Sequence, residues 1–556
     1  MASTQADERR VQKIDVLVVG AGFGGMYALH KMRERGLKTQ AIEAGGGVGG
    51  TWYWNRYPGA RCDVMTIDYS YSFSNEIQQE WTWTERFCSQ SEILEYANYV
   101  ARKLDLFRDI KFDTRASSVE YDDAKRRWRI ETEQGDVYDA KYCILSTGPL
   151  SVPKGVDIPG ADDFQGELYL SARWPHEKVE LDGKRIGVIG TGSSGVQIVS
   201  VVAHQASHLH VFQRTPSFSL PMRNAKMDPE YVAQIKKHYP AMREVTRMTF
   251  SGGTRPASSR PLFSVPVDER NAMLEEAWKT AGHNLLGIFS DLLLYKEAND
   301  VVADFVRGKI GEIVKDPDVA EKLKPKSEPI FARRPCLDTN YYEVFNKDNV
   351  TLVDCLSTPI ERITPRGVIV AGEEIELDVI IAATGFDALT GALLSIDIKG
   401  KQGASLKEKW AEGARSYLGM AIQGFPNLFT TAAVNGPSAL ANFILLNEQN
   451  VNWINDLLDY MDANGFDTVE ATEEAENKWL DRIALLASRS LMPKANTWYT
   501  GTNIPGKPRT FPMYAGGLGR YTEDCQLVAQ NGYEGFDFYS EASPEAEAEL
   551  AEEEAS

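Results

Sequence analysis

The feature that most constrains this chain occurs in it twice. KIDVLVVGAGFGGMYALHKMRERG (13–36) reads as a β-branched apolar strand, a glycine turn and an amphipathic helix, and KRIGVIGTGSSGVQIV (184–199) repeats the order. Both copies fit GxGxxG, through Gly20, Gly22 and Gly25 in the first and Gly190, Gly192 and Gly195 in the second. The first glycine permits a tight turn, the second lets the backbone approach a pyrophosphate, and the third lets the helix pack on the strand. The helix start then offers free N–H groups and a positive dipole end to phosphates. The expected class is therefore α/β, with two Rossmann-like dinucleotide-binding domains.

The copies differ where the following strand ends. LKTQAIEAG (37–45) places Glu43, 23 residues past Gly20, where a carboxylate can accept hydrogen bonds from both ribose hydroxyls. The same count from Gly190 reaches Gln213 in HLHVFQRTP (208–216). No carboxylate repels a 2′-phosphate there, and Arg214 and Thr215 supply a cation and a hydroxyl donor. The first site suits a dinucleotide with a free 2′-OH, and the second suits NADPH. Two more apolar strands, KYCILSTGP (141–149) and LDVIIAATGFD (377–387), end in Thr-Gly, and the second brings Thr384 and Gly385 toward a bound nucleotide. This pairing points to FAD reduced by NADPH, with the two domains facing each other.

The expected division is an FAD-binding domain from 1–150 and 387–540, an NADP-binding domain from 151–223 and 331–386, a helical insertion at 224–330, and an acidic disordered tail at 541–556. Four segments of the insertion have helical apolar spacing: DPEYVAQIKKHYPAM, DERNAMLEEAWKTAG, NDVVADFVRGKIGEIV and DPDVAEKLKP. Two open with Asp-Pro, an N-cap followed by proline at the first helical position. SGGTRPASSRPLFSVP (251–266) reads as a long mobile loop, either a linker or a lid. NEQNVNWINDLLDYMDANG (447–465) reads as a helix with Val451, Ile454, Leu457, Leu458 and Met461 inward and Gly465 as its stop.

Bulk properties narrow the class further. No apolar run approaches the roughly 18 residues of a membrane span, and MASTQADERR lacks the apolar core of a signal peptide. The six cysteines are scattered without CxxC, and the seven histidines form no metal-ligand pattern, so a cytoplasmic enzyme without a metal is expected. The net charge of −19 owes seven glutamates to the tail, yet the rest is still acidic, which argues against nucleic acid. Membrane partners are not expected either, and a monomer or weak homo-oligomer is.

GGTWYWNRYPGARCD (49–63) is similar throughout to the pattern [A/G]GxWxxxx[F/Y]P[G/M]xxxD of the type I Baeyer–Villiger monooxygenases. FQGELYLSARWP (164–175) resembles that family's fingerprint FxGxxxHxxxW, with Phe164, Gly166 and Trp174 in place and Leu170 where the histidine stands. GTGSSGVQ, PIFARRPCLDTNYYEVFNKDNV (329–350), ATGFD and WYTGTNIPGKPR (498–509) extend the resemblance over 13 to about 540. It implies that NADPH reduces FAD, that O₂ then forms a C4a-peroxyflavin, and that this converts a cyclic or aryl ketone to an ester or lactone plus water. It further implies Arg334 as the catalytic cation, Asp63 as its acidic partner, and Arg333 as a further 2′-phosphate contact. Gly50, Thr51, Trp52 and Tyr57 fall in the flavin-side motif, Ser193, Ser194 and Gln197 in the second glycine turn, Trp498 at the cofactor site, and Leu440 and Phe443 in the substrate pocket. Two alternatives are an enzyme that oxygenates nitrogen or sulfur, and a poorly coupled NADPH oxidase arising from Leu170. The missing CxxC excludes a disulfide reductase.

Overall fold

A computed structural model describes residues 11–255, 257–280, 284–432 and 434–540. The expected tail and residues 1–10 lie outside them. Strand Gln12–Val19 is the centre of a sheet in which Thr39–Ile42 and Val137–Leu145 flank it in parallel register, Val16 opposite Thr39 and Tyr142. Ile110–Lys111 closes one edge. On the other side the chain doubles back through an antiparallel meander, Val137–Leu145 with Arg127–Thr132 and Ala116–Asp122. Asp397–Lys399 and Leu428–Thr430 return from late in the sequence to join this sheet, eight strands among the described residues.

The second sheet holds five described strands, all parallel: Val350–Asp354, His208–Gln213, Arg185–Ile189, Val379–Ala382 and Glu167–Leu170. Its inner strand Val379–Ala382 is buried at all four residues, as a parallel strand covered on both faces must be.

Both glycine turns solve one steric problem in the same way. Gly20 has φ +105°, and a Cβ on it would lie 2.5 Å from the Ser146 carbonyl oxygen. Gly190 has φ +107°, and its Cβ would lie 2.5 Å from the Ala383 oxygen. A Cβ on Gly25 would meet the Gly20 oxygen at 1.8 Å, and one on Gly195 would meet the Gly190 oxygen at 2.0 Å. Any side chain at these positions displaces the helix from the strand.

Between strands His208–Gln213 and Val350–Asp354 of the second sheet lie helices Pro229–Arg247, Val267–Thr280, Lys296–Ile313 and Pro317–Leu323. The Asp228 and Asp316 side chains cap the first and last of these, with proline in the first turn, as the Asp-Pro pairs imply. Helix Phe443–Asn464 starts four residues before the pattern suggests, because Asn442 caps it by accepting from the Ile444 N–H at 3.0 Å. The pattern misleads there because polar Asn447, Glu448 and Asn450 are buried. Glu448 accepts from the Ser72 N–H and hydroxyl and so satisfies its carboxylate inside the core. Val451, Ile454, Leu457, Leu458 and Met461 are all buried, as expected. Among the described residues no helix is long and apolar enough to cross a membrane.

Gly465 ends that helix in the left-handed region, φ 72°. Gly465→Ala should cost about 1 kcal/mol, and Gly465→Asn less, because asparagine tolerates that conformation. Urea unfolding midpoints ordered glycine, asparagine, alanine would bear this out.

Candidate functional site

The first cradle forms where Gly22 meets a second glycine strip. Gly50, at φ +53°, packs so closely that a Cβ on it would lie 2.9 Å from the Gly22 Cα. Helix Phe23–Glu34 begins with no side-chain cap and no acid in its first turn, so its leading N–H groups remain available to an anion. Glu43 is 5% exposed, and its two oxygens accept from the Ala21 and Gly45 N–H groups, each at 2.7 Å. Burial raises its pKa, and those two backbone donors pull it back. Each oxygen keeps a further lone pair for a ribose hydroxyl. Thr51 opens the short helix Thr51–Trp54, and Trp52 donates from Nε1 to the Tyr69 hydroxyl at 3.0 Å.

The second cradle is more open. Nothing lies within 4 Å of a Cβ built on Gly192, and helix Ser193–Val202 again starts without a side-chain cap or acid. Gln213 is buried and donates from Nε2 to the Lys322 carbonyl, while Arg214 and Thr215 are exposed just past the strand. Arg333 reaches this end and donates from Nη2 to the Ser217 hydroxyl at 2.7 Å. Lys154 is also here, which the sequence reading missed. Burial, then the charge of Arg214, pull its pKa below the usual lysine range. The Thr-Gly return places it, since Lys154 N donates to the Gly385 oxygen and the Thr384 hydroxyl donates to the Lys154 oxygen, both at 2.9 Å. Both cradles fit a dinucleotide, and the cations gathered at the second fit a phosphorylated ribose.

The flavin-side motif presses against the second cradle. A Cβ on Gly59 would lie 2.6 Å from the Gln197 oxygen. Tyr57 donates from its hydroxyl to Gln197 Oε1, and Gln197 Nε2 donates to the Arg61 carbonyl, both at 3.0 Å. Two residues on, Asp63 Oδ1 meets Arg334 Nη2 at 2.5 Å, with the side chains 24% and 32% exposed. Burial works against the Arg334 charge, but Asp63, the strongest opposing influence, holds its pKa above the ordinary arginine value. Burial pushes the neighbouring Cys62 thiol up to about 12, so it stays protonated and inert.

This ion pair lines a cleft together with Leu440, Tyr499, Phe331, Met65 and Leu286. Of the two expected substrate-pocket residues, Leu440 is in that wall, whereas Phe443 is not and packs with Trp498 against the adjacent core of the first sheet. Asp68 and Arg255 also line the cleft, and no sequence pattern singles them out. Leu170 ends its strand opposite Ala382 and is half-buried. Nearby, Arg173 stacks 4.3 Å over the Trp54 ring and donates from Nη2 to the Ser151 carbonyl at 3.0 Å. Trp174 is buried in the core under the second sheet.

A family model described as pyridine nucleotide-disulphide oxidoreductase matches residues 17–250. The chain is 41% identical to cyclohexanone 1,2-monooxygenase of Acinetobacter sp., over 95% of this chain and 97% of that protein. A solved structure described as oxidised steroid monooxygenase bound to NADP superposes with a TM-score of 0.92 at 44% identity, covering 95% of this chain and all of that one. Another, described as OTEMO complexed with FAD and NADP, gives a TM-score of 0.92 at 40% identity, over 95% and 100% of the two chains. The chain belongs to the Baeyer–Villiger monooxygenases. A phenazine N-monooxygenase of Lysobacter antibioticus is similar as well, at 37% identity over 95% and 98% of the two chains. The disulphide wording of the family model does not extend to this Baeyer–Villiger monooxygenase, whose six cysteines are all free and include no CxxC.

Arg214→Ala should weaken NADPH binding on the order of 30-fold, the loss of one charge-assisted hydrogen bond, while changing NADH binding little. Titration of both cofactors onto wild type and variant checks this, and equal losses would contradict the assignment.

Proposed function

We propose that this Baeyer–Villiger monooxygenase oxidises NADPH through FAD and inserts one atom of O₂ beside the carbonyl of a cyclic or aryl ketone, forming an ester or lactone and water. The observation that carries the reading is Arg334, held by Asp63 in the wall of a cleft. FAD is assigned to Gly20, Gly22, Gly25, Glu43, Gly50, Thr51 and Trp52. NADPH is assigned to Gly190, Gly192, Ser193, Ser194, Gly195, Arg214, Thr215 and Arg333, with Lys154 added. When bound, the flavin takes hydride from NADPH and passes electrons to O₂.

The chain's own residues govern where the oxygen goes. Arg334 supplies a positive charge that cannot be lost at working pH, directed at oxygen that becomes anionic during transfer. A lysine in the same half-buried place would lose its proton more readily. Asp63 orients the guanidinium and offsets its charge when no anion is present. Tyr57 and Gln197 keep the two cradles in register, and the apolar wall of Leu440, Phe331 and Met65 excludes water from the reacting carbonyl.

Strand membership supports the division into an FAD-binding part, 1–150 with 387–540, and an NADP-binding part, 151–223 with 331–386, separated by the helical insertion 224–330. Asp397–Lys399 joins the first sheet, and Val350–Asp354 and Val379–Ala382 join the second. The six free thiols support a cytoplasmic location. The similarity to an N-monooxygenase keeps nitrogen oxygenation as the second reading. A fixed cation favours the ketone, because nitrogen attacks an electrophilic oxygen and gains nothing from an anionic one.

Arg334→Ala should leave flavin reduction by NADPH within about threefold of wild type and cut ester formation by at least about a hundredfold. Stopped-flow absorbance reads the first and gas chromatography the second. Ester at a near-normal rate would remove Arg334 from the reaction.

A further inference from the structure

Besides Arg334, Arg86 and Arg255 line the cleft, and oxygen transfer as proposed above uses neither. Arg255 lies on the segment after helix Pro229–Arg247, and that segment is pinned on both sides of Gly252. Gly252 has φ +69°, and a Cβ on it would lie 3.2 Å from the Asn442 Cβ. Asn442 donates from its backbone N to the Ser251 oxygen at 2.8 Å and from Nδ2 to the Asp68 oxygen at 2.6 Å. Thr254 donates from its N–H and its hydroxyl to Asp68 Oδ2, at 3.1 and 3.0 Å. The loop therefore has a fixed position, and it holds Arg255 and Asp68 in one wall.

Each of these residues is left incompletely bonded. Among the described residues, the one hydrogen bond from the Arg255 side chain runs from Nη2 to the Ser251 hydroxyl at 3.5 Å, the outer limit of bonding, and no carboxylate pairs with it. Burial, then the charge of Arg334, bring its pKa down to about 10, so it is still a cation at neutral pH. Asp68 is 2% exposed, and its Oδ1 has no partner at all. A buried, unpaired acceptor and an under-bonded donor, on residues that line one cleft, define a site for a group that can do both jobs. A hydroxyl has one proton to donate and lone pairs to accept with. A carboxylate could satisfy Arg255 but would bring a second negative charge against Asp68.

We infer that Arg255 and Asp68 recognise a hydroxyl on the ketone substrate, set apart from the carbonyl, which accepts from the Arg255 guanidinium and donates to Asp68 Oδ1. This rests on the ketone-oxygenating function proposed above. A substrate with methyl in place of hydroxyl leaves both protein groups unpaired, and sites built around a hydroxyl reject such analogues far more strongly than apolar pockets discriminate by size.

The test uses the full chain loaded with FAD and NADP⁺, with calorimetric dissociation constants for 4-hydroxy- and 4-hydroxymethylcyclohexanone, their 4-methyl and 4-ethyl counterparts, and 4-oxocyclohexanecarboxylate. At least one hydroxyl ketone should bind tenfold or more tighter than its alkyl counterpart and than the carboxylate. Arg255→Met should reduce that ratio to within twofold, and Arg255→Lys should restore part of it. Wild-type protein that binds the alkyl or carboxylate ketones as well or better would overturn the inference, as would an undiminished ratio in Arg255→Met. Ester formation from the same ketones separates the two claims. Hydroxyl preference without ester from any of them would sink the oxygenation reading alone, and ester without hydroxyl preference would sink only the recognition.

Discussion

The ion pair between Asp63 and Arg334 joins loops that leave both nucleotide folds. Neither residue lies in a sheet. Asp63 ends the motif that follows the first cradle, and Arg334 precedes the short strand Cys336–Asp338, which pairs with Ser219–Pro221 beyond the second cradle. Placing them 2.5 Å apart therefore demands that the loops leaving both nucleotide folds be fixed. The Asp63 side is fixed by Tyr57, Gln197 and Gly59. The Arg334 side is fixed by the Ser219 hydroxyl donating to Asp338 at 2.5 Å and by the Cys336 thiol against the Ser193 oxygen at 3.7 Å. Gln197 and Ser193 both belong to helix Ser193–Val202 of the second cradle, so that cradle and the Asp63–Arg334 pair share one support. A half-buried pair of this kind adds little net stability, but removing either partner strands the other. Its value here is positional.

What the sequence made legible follows from how local each constraint is. Gly20, Gly25, Gly190 and Gly195 could be read from spacing because backbone carbonyls within a few residues, or on the adjacent strand, forbid a Cβ there. The contrast of Glu43 with Gln213 was legible because each is a single side chain at the end of the strand that follows its glycine turn. Asp68 and Arg255 were not, because their meeting depends on Asn442 and Thr254 pinning a loop that has no periodic pattern. The start of helix Phe443–Asn464 was hidden for a different reason. Buried Asn447, Glu448 and Asn450 read as a solvent face until their partners are known. In the meander, Arg127–Thr132 alternates strictly, but Ala116–Asp122 does not, because an irregularity between Ala116 and Ser118 shifts its register.

Leu170 stands where the family fingerprint has histidine, and the residues just after it hold this segment in place. The segment after Leu170 is held at two consecutive residues, Arg173 at the end of the 3₁₀ turn Ser171–Arg173 and Trp174 just past it. Trp174 enters the core of the second sheet, and Arg173 lies over Trp54 of the flavin-side motif. A stacked guanidinium contributes about 0.5–2 kcal/mol, and its hydrogen bonds to the Ser151 and Ala172 carbonyls add direction. The attachment also differs in kind from one made by histidine. Imidazole changes charge near neutral pH, whereas guanidinium does not. The nearest histidine, His176, rests against Tyr53, and burial and then Arg56 lower its pKa, so it is neutral at pH 7. The Arg173 contact with Trp54 therefore keeps its charge across the neutral range.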